Sequence, residues 1–351
     1  MCIGREIVTT ITIMKISRRN FLASLSLLPA VLARAQDRVP ANKNIKWAVS
    51  SNLWGYFPGS KFTDIFDVMS QTGFPGIRLA NFPGCLNKFG MTAAQLQTEM
   101  SKRKLNVATI SWNSLSVAPE MRQQTLDSAR EAMKFLADFG ASHLVVFSPG
   151  LNRGGTAAPG AFEEMCKRCN EIGELAGTMG FTAGLHNHMG QMVQTREQID
   201  RFMTLVDPKL FGFSPDTAHL QLAGCDVVGT IDKYKSRIKF LDYKDAKLPA
   251  AADATPAPTA ASSSTPAASA PGSGATAGAA PARPAGGGGF IQNIYDLGDG
   301  EVDFPGCHRI LKGMKYKGWI CVDLDIARLG PMADYHRCGA YVVDKLEPIY
   351  L

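Results

Sequence analysis

The sequence predicts a single α/β domain, a (β/α)8 TIM barrel, and three observations carry that prediction. Short β-rich runs alternate with amphipathic helical stretches, the pattern of a parallel sheet joined by helical crossovers. Eight such runs can be counted. Setting aside a leader (residues 1–35) and a low-complexity stretch (residues 249–289) leaves about 275 residues, close to the ~250 typical of this architecture. An open doubly wound sheet is the alternative. No G-x-G-x-x-G follows the first run, which argues against its dinucleotide-binding form.

The elements follow in order. Ser17, Arg18, Arg19, Asn20, Phe21 and Leu22 open a short apolar run, Phe21 to Leu32, and Ala33-Arg34-Ala35 then precedes Gln36. A charged region, an apolar region and a small-residue site in that order make a secretory signal. The paired arginines followed by Phe-Leu specify the twin-arginine type, and hence a periplasmic or exported protein. The alternative is a membrane anchor, but about 12 apolar residues are too few to span a bilayer. Met14 lies three residues before Ser17, and translation is expected to start there.

The strands are expected at Ile45 to Ser50, Gly76 to Leu79, Val107 to Ser111, His143 to Phe147, Thr182 to Asn187, Phe211 to Ser214, Ile238 to Tyr243 and Trp319 to Leu324. The clearest amphipathic stretches between them are Thr92 to Lys102, Ala118 to Phe139, Phe162 to Met179, Arg196 to Leu205 and Phe304 to Lys312. Residues 249–289 are almost wholly Ala, Pro, Ser, Thr and Gly. Such a composition buries too little apolar surface to offset its ordering entropy, so a disordered insertion is expected after the seventh strand. It is read as a passive spacer, with a tether to a partner or the cell wall as the alternative.

Composition narrows the function. The formal charge is +6, but Arg5, Lys15, Arg18, Arg19 and Arg34 against Glu6 place most of it in the leader. The remainder, about +2, gives no support to a nucleic-acid partner. Eight cysteines are scattered along the chain, unlike a disulfide scaffold. Cys166 and Cys169 form a lone C-x-x-C inside a helical pattern and are read as ordinary helix residues.

In a (β/α)8 barrel the chemistry sits at the carboxyl ends of the strands. The fifth strand ends in His186 and His188, which alternation places on one face. The sixth ends in Asp216, with His219 three residues on. The seventh ends in Asp242 and Lys244 on one face and Asp245 on the other, and the eighth in Asp323 and Asp325. Each motif has a structural alternative, such as helix capping by Asp216 or Thr217. Four consecutive strands ending in ligand types are more specific than any one of them.

From Gly184 to Asp325 the chain resembles the xylose isomerase-like TIM-barrel family of sugar phosphate isomerases and epimerases. The run His186-Asn187-His188-Met189-Gly190, the run Gln194-Thr195-Arg196-Glu197-Gln198-Ile199-Asp200, and Asp216-Thr217-Ala218-His219-Leu220 with Gly224 are similar to inosose dehydratases. Leu297 to Phe304 resembles the family's Gly-rich approach to its last helix. The resemblance implies a divalent metal, Mn first and Mg, Co or Ca next, held by Glu, Asp, His and Glu on strands five to eight. Those positions fall on His186, Asp216, Asp242 and Asp323, of which only Asp216 is identical. His188, Lys244 and His219 are the candidates for proton transfer, and His188, His219, Asp325 and Trp54 for substrate contact.

The expected activity is metal-dependent loss of water from, or isomerisation of, a keto-sugar or keto-inositol. In that reading the metal holds the ketone, His188 or Lys244 takes the proton, and His219 assists hydroxide departure. Epimerisation is the weaker option because the family's two-glutamate pair is absent. A non-catalytic exported sugar-binding barrel with a degenerate metal site is the other alternative. A metal-dependent endonuclease on the same barrel needs a basic groove that the charge does not provide. Replacing Arg18 and Arg19 together by Lys is expected to hold the protein in the cytoplasm; cell fractionation checks this, and undiminished export would defeat the twin-arginine assignment.

Overall fold

The computed structural model describes residues 43–56, 60–152, 155–248 and 289–350. The leader and almost all of the insertion lie outside them. Eight strands run parallel: β1 (Ile45–Ser50), β2 (Gly76–Leu79), β3 (Asn106–Trp112), β4 (His143–Phe147), β5 (Thr182–His186), β6 (Gly212–Phe213), β7 (Leu241–Tyr243) and β10 (Gly318–Val322). Their order in space is β6-β5-β4-β3-β2-β1-β10-β7. Parallel bridges Phe213↔Ile238 and Asp216↔Asp242 join the two outer strands, so the sheet closes on itself. A two-residue antiparallel ribbon, β8 (Asp245–Ala246) with β9 (Ile294–Tyr295), stands above β7 and flanks the position of the insertion.

All eight expected strands are present. The sixth and seventh are shorter than expected, at two and three residues; in the seventh, Ile238 joins the ladder through a single bridge only. The five expected helices form as well. The fourth strand is preceded by a turn of 3-10 helix at Pro119–Met121 that runs into the helix Arg122–Asp138.

Local chemistry sets the helix starts. Thr92 accepts from the Gln95 amide while Gln95 reaches back to Thr92, a reciprocal cap at the head of Ala93–Lys102. Thr195 and Gln198 do the same for Arg196–Leu205, so part of the dehydratase-like run is a helix signal. Phe62, Ile65, Phe66 and Met69 form a buried stripe on the helix Phe62–Thr72, each contributing about 1.5–3 kcal/mol by burial. That helix packs against Pro331–Tyr341, closing the outer ring. Cys166 and Cys169 are buried free thiols on the inner face of Ala161–Thr178, as read.

The barrel interior is layered. Ala48, Ala108, Val145, Phe240 and Cys321 form one apolar cluster. Two residues further along their strands, alternation brings Ser50, Phe147, Asp242 and Asp323 to the same face. A two-residue step therefore carries the interior from apolar packing to a polar layer at the mouth. His143 fills the space beside Gly184, where a Cβ would lie 2.6 Å from Ser214 Oγ. Its ring bonds Thr182 Oγ1 at 2.8 Å and Ser214 Oγ at 2.9 Å.

Burial holds the His143 imidazole down to about 3 and that of His308, packed on Trp47, to about 4. A folded-state value below the unfolded ~6.5 favours the neutral ring. The associated stability is therefore fully present above pH ~6.5 and is lost as pH falls toward the folded values. Urea unfolding at about pH 7.5 and about pH 5 is expected to differ by on the order of 2 kcal/mol for each of these histidines. His143→Gln should remove its share of that difference, and an unchanged pH slope would contradict the assignment.

Candidate active site at the carboxyl ends of the strands

A cavity of about 470 Å³ opens at the mouth, lined by Asn52, Arg78, Ser111, Phe147, His186, His188, Lys244, Phe290, Asp323 and Asp325 among others. That volume suits a small ligand. Below and beside it lies a network of buried charge. Lys244, just past β7, places Nζ 3.1 Å from Asp216 Oδ2, 2.6 Å from Asp323 Oδ2 and 3.0 Å from Asp325 Oδ2. Arg78, in the middle of β2, places Nη2 2.8 Å from Asp323 Oδ2 and Nε 3.1 Å from Asp242 Oδ1, the latter without hydrogen-bond alignment. Its Nη1 donates to Ser111 Oγ at 2.6 Å.

The backbone positions these groups firmly. Thr217 Oγ1 donates to the Lys244 carbonyl at 2.8 Å and accepts from the Lys244 amide at 3.0 Å. Asn187 holds the Asp216 backbone through two bonds, at 3.0 and 3.2 Å. Asn52 donates to Asp325 Oδ1 at 2.6 Å. Asp245 turns away from the cavity, as alternation predicts, and accepts from the amides of Gly298, Gly300 and Val302 at 2.8, 2.9 and 3.1 Å. That explains the Gly-rich run Leu297 to Phe304. It is folded around a carboxylate, and it leads into the helix Phe304–Gly313 rather than into the last helix.

Electrostatics divide the residues into two groups. Burial opposes the charge on Lys244, but Asp216, Asp323 and Asp325 outweigh it and hold the ammonium well above its usual range. Burial would raise Asp323, yet Lys244 and Arg78 keep it well below the ordinary carboxylate value. Asp216 and Asp242 are pushed up by burial, to about 6 and about 7. The histidines are held neutral. Burial, reinforced by Lys244, brings His188 to about 4, and burial brings His186 to about 3.

His186, His188, Asp216, His219, Asp242, Lys244, Asp323 and Asp325 are thus brought together as expected, and the expected roles of three residues are corrected. Trp54 is not a substrate contact: only 2 % exposed, it stacks on Tyr335 in the core. Lys244 is not a base, because three carboxylates keep it protonated. His219 is neither a substrate contact nor a general acid. It is fully buried, its pKa is driven well below the usual value by burial and by His188, and its ring lies 3.8 Å behind that of His188. Arg78, Asn52 and Phe290 were not foreseen. A charge inside the four-residue strand Gly-Ile-Arg-Leu was a signal for Arg78. Nothing local marked Phe290, which follows the insertion.

The fit of a divalent ion can be tested on this geometry. His186, Asp216 and His219 bring three ligand atoms within 4.8 Å of one another, a spacing that could hold a metal. The expected set of His186, Asp216, Asp242 and Asp323 does not form a cage. Asp242 and Asp323 are engaged by Arg78, and Asp216 and Asp323 by Lys244. In the three-residue cluster, Asp216 Oδ2 and His219 Nε2 are 3.8 Å apart, and Lys244 Nζ lies 3.1 and 3.5 Å from them. An ion at ~2.1 Å from both atoms would meet the ammonium within about 3.6 Å. With Lys244 in this position, the cluster does not fit an ion and the ammonium together.

A closed parallel barrel with its polar cavity at the strand ends is the class that fold and site define. The chain belongs to the xylose isomerase-like TIM barrel family, whose sequence profile matches residues 60–337. An inosose dehydratase from Lactiplantibacillus plantarum is 25% identical over 327 residues, covering 87% of this chain and 98% of that protein. The structure of a sugar phosphate isomerase/epimerase from Parabacteroides distasonis superposes with a TM-score of 0.63 at 16% identity, over 90% of this chain and 99% of that one. The IOLI protein with a bound zinc atom gives 0.63 at 12% identity, over 87% and 99%. At such identities the solved structures establish the fold alone.

Asp245→Ala would leave at least three loop amides without their acceptor. It is expected to cost about 2–4 kcal/mol in urea unfolding, and a loss below about 0.5 kcal/mol would show that the loop does not depend on this carboxylate.

Proposed function

We propose that the protein is an enzyme acting on a small sugar or cyclitol, and that its reaction is the loss of water from a keto-sugar or keto-inositol. The observation that carries this reading is His188. Its Nδ1 lies 2.7 Å from the Met189 carbonyl, which can only accept, so Nδ1 carries the proton and Nε2 is the basic nitrogen. A neutral imidazole on a cavity wall that also presents an ammonium, a guanidinium and two carboxylates has the elements of proton abstraction beside a ketone.

The roles follow from the chain's own residues. Arg78 Nη1, which spends one N–H on Ser111 Oγ, offers its other to the ketone oxygen, and Lys244, its own donors held by three carboxylates, supplies fixed positive charge beside it. Asp323 and Asp325 accept from substrate hydroxyls, and Asn52 orients Asp325. His188 Nε2 takes the proton from the carbon next to the ketone. The released electron pair forms the carbon–carbon double bond as the neighbouring C–O bond breaks. The protonated His188 then returns its proton to the departing hydroxide, so water leaves and the imidazole is regenerated. No step needs His219 as an acid. His219 backs the His188 ring and fixes its position. The dehydratase relative and the His186-Asn187-His188 run support elimination over isomerisation.

A non-catalytic binding barrel is the second reading. The engagement by Arg78 and Lys244 of carboxylates at positions where the family resemblance implies metal ligands favours it. Export remains our proposal on the strength of Arg18 and Arg19. No helix among the described residues is long and apolar enough to cross a membrane.

The test is turnover on a panel of inososes and keto-sugars, read by the absorbance of the unsaturated product. His188→Ala is expected to lower kcat by about 10²–10⁴-fold with substrate binding retained. Unchanged turnover would remove His188 from the chemistry. Tight binding of a keto-sugar with no product from the wild type would favour the binding barrel.

A further inference from the structure

We propose that the Lys244 ammonium, seconded by the Arg78 guanidinium, is the permanent cation of this site and takes the place of a divalent metal, so that the protein is a metal-independent member of its family. The inference concerns what neutralises the carboxylates and stands apart from the choice of substrate.

A bound ion needs ligand atoms, carboxylate oxygens or imidazole nitrogens, from several strands converging on one point. Here the carboxylates of Asp216, Asp323 and Asp325 do converge, and the atom at the focus is Lys244 Nζ, at 2.6–3.1 Å from each. A fourth contact, 3.5 Å to His219 Nε2, uses the nitrogen that would otherwise face an ion. The ammonium is not a mobile surface charge. Lys244 is 1% exposed, and its backbone is fixed on both sides by Thr217 Oγ1. To admit an ion it would have to leave three carboxylates at once.

Arg78 closes the other route. It spans the barrel from β2 to the carboxylates after β10 and within β7, pairing with Asp323 and Asp242. Those are two of the four positions at which the family resemblance places metal ligands. Each carboxylate of the expected set is therefore already matched to a cation built into the chain, and a divalent ion would bring like charge into direct contact with a buried ammonium.

The experiment uses the purified full chain with Mn²⁺ alone, read by electron paramagnetic resonance titration, elemental analysis and thermal melts. The wild type is expected to retain less than about 0.1 equivalent of metal, and its Tm should not move with Mn²⁺ at about 1 mM. Lys244→Met frees Asp216 and Asp325 of their cation and leaves Asp323 to Arg78. Arg78→Ala frees Asp242 and leaves Asp323 to Lys244. At least one of these is expected to bind Mn²⁺ about ten-fold or more tighter than the wild type and to gain a saturable rise in Tm. A stoichiometric ion that survives dialysis in the wild type, or an Mn²⁺-dependent rise in its Tm, overturns the proposal whether or not the variants fold. Folded variants that both remain as indifferent to Mn²⁺ as the wild type also overturn it, because the two cations would then not be filling an ion's place.

Discussion

The structure depends on how four aspartates are kept at one end of a closed barrel. Asp216, Asp242, Asp323 and Asp325 come from three neighbouring strand ends and are nearly or fully buried. An unpaired buried carboxylate costs several kcal/mol even after relaxation. Arg78 and Lys244 offset that cost from opposite sides, one from β2 and one from just past β7. Because each bridges at least two carboxylates, the charge network also ties β2, β6, β7 and β10 together across the mouth. Such pairs are weak evidence for net stability, but removing one partner strands the others.

The same network separates the chemical roles. Burial, reinforced by Lys244 and, for His186 and His219, by Arg78, keeps His186, His188 and His219 neutral. Proximity to the carboxylates keeps Lys244 charged. A site with a neutral base on one wall and permanent donors on another is divided by environment rather than by residue type. It also makes the sequence resemblance misleading in one respect. Positions at which the family resemblance implies metal ligands hold residues able to ligate, yet here those carboxylates are paired with the chain's own charges.

The fold was largely legible in the sequence. Strand–helix alternation located all eight strands and the five clearest helices, since period-two and period-3.6 patterns survive in any protein that buries one face of each element. The expected start of β7 was too early, because Ile238, joined by one bridge, looks in sequence like any other apolar strand residue. The site was half legible. Alternation correctly placed His186, Asp242, Lys244 and Asp323 inward and Asp245 outward. Trp54 was misread because an aromatic residue after a strand can face either the cavity or the core, and only the position of Tyr335 decides between them.

By itself, the sequence determined which residues reach the carboxyl ends of the strands and on which face, because those follow from local periodicity. It also determined the helix caps, which are set by residues three positions apart. Only the tertiary structure decided what those residues do once there. Arg78 lies more than 160 positions before Asp242 in the chain, and nothing local says that it will lie 3.1 Å from it. Whether a carboxylate faces an ion, an ammonium or a substrate hydroxyl depends on which side chains the closed barrel brings within about 3 Å, and closure is a long-range event.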